Sequence, residues 1–190
     1  MNQQINQYIF DLKNTLDMLP LALIDQAIGI LHEARLDGRQ IFIMGNGGSA
    51  STASHFVCDL SKNTRQPSWP HFKVIGLTDN MASFSAFAND EGYASVFAQQ
   101  LAPFIQPDDI VIGISASGNS PNVLEGMTLA NEVGAYTIGF TGFDGGKLSG
   151  MVDLDLHVDS HCIEHVEDIH LMLEHLIVSM LRQRALVRQT

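Results

Sequence analysis

The chain has 190 residues, and 10 Lys+Arg against 21 Asp+Glu leave a formal net charge of −11. At 45% apolar and 16% charged it reads as one globular domain with room for a core, not as a disordered segment. The acidic balance without a basic cluster excludes a nucleic-acid backbone binder, and the apolar runs fall far short of a membrane span of roughly 20 residues. Cys58 and Cys162 make no disulfide framework, and no basic segment followed by an apolar stretch opens the chain, so a cytoplasmic protein with reduced thiols is expected.

In chain order, Ile5, Ile9, Leu12, Leu16 and Leu19 form an apolar stripe at helical spacing, and Pro20 interrupts it. Ile24, Ala27, Ile28 and Leu31 start a second helix that stops near Gly38. The narrow stripe suits a partner-binding helix as well as one packed on its own domain. Five β-rich runs follow, at Gln40–Met44, Phe72–Leu77, Ile110–Ser115, Ala135–Thr141 and Leu154–Val158. They are nearly continuously apolar, as strands covered on both faces are. Helical stretches lie between them, at Ser49–Ser61, Met81–Phe87 with Ala94–Phe104, and Pro121–Val133, and a long helix runs from Glu164 to about Leu186. The alternation predicts a single α/β domain over residues 1–190. Helices occupy 1–38, and a doubly wound, five-stranded parallel sheet flanked by helices, flavodoxin-like, occupies 39–190.

Ligands of open parallel sheets bind at the carboxyl ends of the strands, and two such ends carry unusual loops. Gly45-Asn46-Gly47-Gly48-Ser49-Ala50 follows the first strand and Ser115-Ala116-Ser117-Gly118-Asn119-Ser120-Pro121 the third, each leading into a helix. Glycines permit close approach of a ligand, and the helix N-terminus beyond offers free N–H groups to an anion. Pro121 fits the first helical turn. Neither loop has the Gly-Lys-Ser/Thr of a nucleotide-binding loop or a dinucleotide GxGxxG fingerprint. A small phosphate monoester held by hydroxyls and amides fits better.

A second set of residues is ionisable. His55 and Asp59 are i and i+4 on one helix face, and Glu167, Leu171 and His175 make an i, i+4, i+8 ridge on the last helix. Glu164, His165, Asp168, His170 and Glu174 surround that ridge, while Ile163, Val166, Ile169, Leu173, Ile177 and Met180 read as core. Two histidines and two carboxylates suit a divalent ion or acid–base work without one. Asn89-Asp90-Glu91-Gly92-Tyr93 puts Asp90 near the same crevice. Thr141-Gly142-Phe143-Asp144-Gly145-Gly146-Lys147 reads as a turn, and Cys58 as a small buried residue.

Together, Gly45–Ala50 with His55-Phe56, Ala88-Asn89-Asp90 with Gly92-Tyr93, Ser115 through Val123, and Thr141-Gly142 through Leu148 resemble the phosphoheptose isomerases, sugar isomerase (SIS) domain enzymes, over nearly the whole chain. The resemblance implies a homotetramer with active sites between subunits. It also implies conversion of sedoheptulose 7-phosphate to D-glycero-D-manno-heptose 7-phosphate through an enediol, the first step toward nucleotide-activated heptose. Carried over by position, Ser115, Ala116, Ser117 and Ser120 would hold the phosphate, and Asn46, Gly47, Gly48, Ser49, Asn89 and Asp90 would line the sugar. His55, Asp59, Glu167 and His175 fall where the family has a His, Glu, Gln and His zinc set, implying one zinc, or another divalent metal, per subunit. Glu167, His175 and Asp59 are the implied proton-transfer groups. The chain departs from the pattern at Asp59 for Glu, Glu167 for Gln, Ala116 for Thr and Asn63 for Arg. Asp59 draws its carboxylate back by about 1.5 Å, one C–C bond, which makes Glu167 a candidate for the base role. Two other readings stay open at this level: a non-catalytic SIS-domain sensor of a phosphosugar, and an isomerase of a different sugar phosphate.

Overall fold

The computed structural model describes residues 1–67 and 69–187, with side chains as far as residue 183. Helices α1 (Asn2–Asp17) and α2 (Leu21–Asp37) open the chain. Pro20 sits at the N-cap of α2, and Gly38 ends that helix in the left-handed region, at φ 68°. The alternating part runs β1 (Gln40–Gly45), α3 (Gly48–Lys62), β2 (Lys73–Gly76), α4 (Met81–Asp90), a 3-10 turn (Tyr93–Ser95), α5 (Val96–Leu101), β3 (Ile110–Ser115), α6 (Pro121–Val133), β4 (Tyr136–Thr141), α7 (Gly146–Ser149), β5 (Leu154–His157) and α8 (Ile163–Val187).

Among the described residues the strands form one parallel sheet in the order β2-β1-β3-β4-β5. This is the doubly wound order whose direction of winding reverses between β1 and β3, where a crevice opens. Gly45 pairs with Ile114 in the β1–β3 register, so the two loops singled out in the sequence leave the sheet side by side.

The nearly unbroken apolar strands are explained by two separate cores. Ile41 and Ile43 face α2, α3 and α8, packing with Ile24, Phe56 and Leu173. Phe42 and Met44, one residue out of phase, face α5 and α6 with Phe97 and Met127. Each fully buried side chain of this size contributes roughly 1.5–3 kcal/mol, and together they fix the register that sets the loops beside one another.

Several local expectations are corrected. Ile163 is 48% exposed, because it begins α8 at the mouth of the cleft and not over the sheet. Cys58 is exposed on the outer face of α3. The helix beginning at Met81 runs on to Asp90, so Asn89 and Asp90 are helical. The turn after β4 contains the short helix α7. On α1, Ile5, Ile9 and Leu16 are exposed, while Leu12, and Leu19 just beyond the helix, pack against the core.

Candidate active site

The serine loop is held by its own polar groups. The Ser115 and Ser120 hydroxyls lie 3.1 Å apart, and the Asn119 N–H donates to Ser117 Oγ at 3.3 Å. Ser120 is the N-cap of α6 but makes no side-chain cap bond, with Pro121 following in the first turn. The turn after β4 buttresses this loop. The Leu148 N–H donates to Gly118 O at 2.9 Å, and the Lys147 N–H donates to Asn119 Oδ1 at 3.2 Å. Gly118 has φ 61°, and a Cβ there would strike the Gly145 carbonyl, so no other residue fits that position without shifting the turn. The buttressing role of Gly145 was missed in the sequence, although the paired glycines were its signal.

Beside the serine loop is a cavity of about 220 Å³. Ser115, Ala116, Ser117 and Ser120 line it on one side, Asn46 and Ser49 on another, and Phe143 and Ile163 give it an apolar wall. Glu167, from α8, completes it. The Glu167 carboxylate rests on Gly48, where a Cβ would come within 2.5 Å of Oε2. A glycine at the start of α3 is therefore what admits Glu167. Among the described residues no Lys or Arg lines this cavity, so an anion there is met by hydroxyls, amides and the N-terminus of α6. A larger cavity of about 660 Å³ lies at the opposite ends of the strands, and Glu33, Asp37, Asp108 and Asp153 outnumber Arg39 in its wall. Its charge opposes a phosphate, and it lies away from the loops.

Next to this cleft, α3 and α8 bring His55, Asp59, Glu174 and His175 together, with one donor atom from each within 4.8 Å of the others. His55 Nε2 is 3.4 Å from His175 Nε2 and 3.8 Å from Asp59 Oδ1. Asn63 Nδ2 donates to Asp59 Oδ1 at 2.7 Å, holding that carboxylate in place. Glu174 is wholly buried and neither of its oxygens has a hydrogen-bond partner, although Oε2 lies 3.4 Å from His175 Nε2. Burial, and then the Asp59 carboxylate, push the Glu174 carboxyl up to about 8.

The arrangement fits a metal ion. Two tetrahedral ligands with arms of 2.0–2.1 Å are about 3.3 Å apart, close to the separation of the two imidazole nitrogens. Orphaned buried carboxylate oxygens are what a cation would satisfy. The donor set of two nitrogens and two carboxylates suits zinc or another first-row divalent ion.

Three of the four residues expected to bind metal are thus in one group, and the fourth member is Glu174, which by sequence position is only a neighbour of the ridge. Glu167 lies outside this group, because it stands two helical turns from His175, about 12 Å of rise, with its carboxylate turned onto Gly48. Asn89 and Asp90 are exposed at the end of α4, hydrogen-bonded to each other at 2.7 Å, and neither lines the cavity beside the serine loop.

This sequence and fold match known proteins. The SIS domain family profile covers residues 7–142. A probable phosphoheptose isomerase from Thermoplasma acidophilum is 40% identical over 164 residues, 85% of this chain and 90% of that protein. The solved phosphoheptose isomerases of Francisella tularensis (30% identity, 95% of this chain and 97% of that one) and Neisseria gonorrhoeae (25%, 96% and 98%) each superpose with a TM-score of 0.87. The chain belongs to the SIS domain family and, within it, to the phosphoheptose isomerases.

Proposed function

We propose that the chain interconverts sedoheptulose 7-phosphate and D-glycero-D-manno-heptose 7-phosphate. The observation that carries the reading is the Glu167 carboxylate in the same cavity as the serine loop. Phosphate bound at Ser115, Ser117 and Ser120 and at the start of α6 anchors the sugar chain. Glu167 then removes a proton from C1 of the ketose, electrons move into the C1–C2 bond, and the C2 oxygen becomes an enediolate oxygen. Return of the proton to C2, with transfer of the hydroxyl proton from O1 to O2, gives the aldose. Asn46, Ser49 and the free amides at the start of α3 are the donors available to the charged oxygen.

His55, Asp59, Glu174 and His175 are the residues that would hold a divalent cation, zinc by donor type. Such an ion supplies Lewis-acid polarisation of a carbonyl or hydroxyl oxygen when bound. His175 serves as the partner acid only while its Nε2 is not a ligand, so the two roles exclude each other at that nitrogen. Asp59, tied to Asn63 and beside His55, orients the pair.

The assembly is a homotetramer in the cytoplasm, built through α1. On that helix Ile5, Ile9 and Phe10 are 52%, 43% and 58% exposed, an apolar surface only half covered by the described residues. No single described helix is long and apolar enough to cross a membrane. The test is conversion of sedoheptulose 7-phosphate by purified protein with and without Zn²⁺, beside Glu167→Gln. Aldose formation that disappears in the variant supports the reading, and phosphosugar binding without turnover contradicts it in favour of a sensor.

A further inference from the structure

Asn46 from the loop after β1, Tyr93 from the 3-10 turn after α4 and Asn122 from the start of α6 meet in one hydrogen-bond network. Asn122, the second residue of α6, is completely buried. Its Oδ1 accepts the backbone N–H of Val123 at 3.0 Å. A backbone N–H can only donate, so the orientation of this amide is set by chemistry and not by choice of rotamer. The orientation is then passed on. Asn46 Nδ2 donates to Asn122 Oδ1 at 2.8 Å, and Asn122 Nδ2 donates back to Asn46 Oδ1 at 2.9 Å. The Tyr93 hydroxyl donates to the same Asn46 Oδ1 at 2.8 Å.

Both lone pairs of Asn46 Oδ1 are therefore used. One N–H of Asn46 Nδ2 is used as well, and among the described residues no group accepts the other. Asn46 also lines the cavity that holds Glu167 and the serine loop. A free carboxamide presents a donor or an acceptor with equal ease. This one presents a donor alone. A ketose carbonyl that gains negative charge during proton removal requires a donor, and an acceptor turned toward it opposes the reaction.

We infer that Asn122, assisted by Tyr93, is a positioning residue that fixes Asn46 as a dedicated hydrogen-bond donor to the sugar oxygen on which charge develops. The inference rests on the isomerase reading given above. Reciprocal amide bonding accounts for rigidity on its own, as a plain link between the β1 loop and α6, and the two roles separate experimentally. A link that only supports the serine loop acts on phosphate binding, whereas an oriented donor acts on the chemical step.

The experiment compares wild type, Asn46→Ala, Asn122→Ala, the double variant and Tyr93→Phe on sedoheptulose 7-phosphate, with protection by inorganic phosphate as a separate readout. Loss of one oxyanion donor typically lowers kcat by about 10²–10³-fold. Asn46→Ala and Asn122→Ala are expected to fall by that factor with KM and phosphate protection within about threefold of wild type, and the double variant to be no slower than either single. Tyr93→Phe removes one partner at the protein surface and leaves the fold intact, so it is read even if Asn122→Ala does not fold; a kcat fall of about tenfold at unchanged KM is expected. Multiplicative losses, a KM rising in step with the fall in kcat, or unchanged kcat in Tyr93→Phe overturns the inference. Wild-type turnover is read first, so its absence overturns the isomerase reading separately. The positioning is then still read from the Asn46 side-chain amide by ¹⁵N NMR. One of its two protons exchanges slowly in wild type and both exchange fast in Asn122→Ala if the inference is right, and identical exchange in the two proteins overturns it.

Discussion

Asp59 and Glu174 approach each other across the α3–α8 contact, placing two carboxylates in one group with His55 and His175. Left without a cation, this pairing costs stability, because one buried carboxyl has no hydrogen-bond partner and faces a like charge. A ligand at 100 times its Kd stabilises by about 2.7 kcal/mol, and roughly 2–4 °C of Tm accompanies each kcal/mol in a domain of this size. Zn²⁺ is therefore expected to raise the Tm by about 5–10 °C. Glu174→Gln should weaken zinc binding at least tenfold, and Glu167→Gln should leave it within a few-fold. Calorimetric titration of both variants checks this, and the reverse order contradicts the ligand assignment.

The metal-free protein should lose stability as the pH rises from 6.5 to 8. In the fold Glu174 keeps its proton up to about 8, whereas in the unfolded chain it releases it in the ordinary carboxylate range. The folded state thus binds more protons over this interval, and stability falls with pH. Chemical denaturation at pH 6.5 and 8 is expected to show the fall in wild type and a flat response in Glu174→Gln.

The opposite slope is expected in acid. His170 is buried with Nε2 3.0 Å from Thr141 O, and burial lowers its imidazole to about 4. The unfolded chain takes up this proton first, so stability contributed by neutral His170 is complete above about 6.5 and is lost as the pH falls through 4. His170→Gln keeps a donor toward Thr141 O and should flatten this limb in urea unfolding between pH 6.5 and 4. An unchanged acid limb contradicts the assignment.

Gly118→Ala tests the buttress of the serine loop. The left-handed backbone costs a non-glycine residue roughly 1–2 kcal/mol, and the new Cβ collides with the Gly145 carbonyl. A loss of more than about 2 kcal/mol and a raised KM are expected together, measured by denaturation and steady-state kinetics. Ser115→Ala, which leaves the backbone alone, should raise KM with little change in stability.

Phe10→Glu tests the exposed face of α1. If the proposed tetramer forms through this face, a charge at its centre should convert it to smaller species in sedimentation velocity, with the secondary structure of the subunit unchanged. A monomeric wild type would contradict the assembly.

The strands were legible because β1, β3 and β4 are buried on both faces, and such strands lose their polar alternation. Their parallel pairing was legible because a helical stretch long enough for a crossover lies between most successive strands. The two ligand loops stood out because Gly, Ser and Asn gather at two strand ends. The grouping of Glu174 with His55 was not legible. Position 174 sits among apolar residues at helical spacing, and only the packing of α8 on α3 turns it toward Asp59. The buried Asn122 was likewise hidden, since its partners Asn46 and Tyr93 are distant in sequence and meet only at the crevice between β1 and β3. The resemblance aligned Glu167 with a family ligand, but alignment carries position and not direction. Gly48 is the residue that admits its carboxylate to the other side.

The decisive measurement follows sedoheptulose 7-phosphate by NMR with metal-free protein, zinc-supplemented protein and Glu167→Ala. D-glycero-D-manno-heptose 7-phosphate is expected to appear with wild type, at a rate at least about 10²-fold lower in the variant, the scale of a lost general base. Turnover that survives Glu167→Ala contradicts the base assignment, and a wild type that binds the phosphosugar without converting it contradicts the isomerase reading.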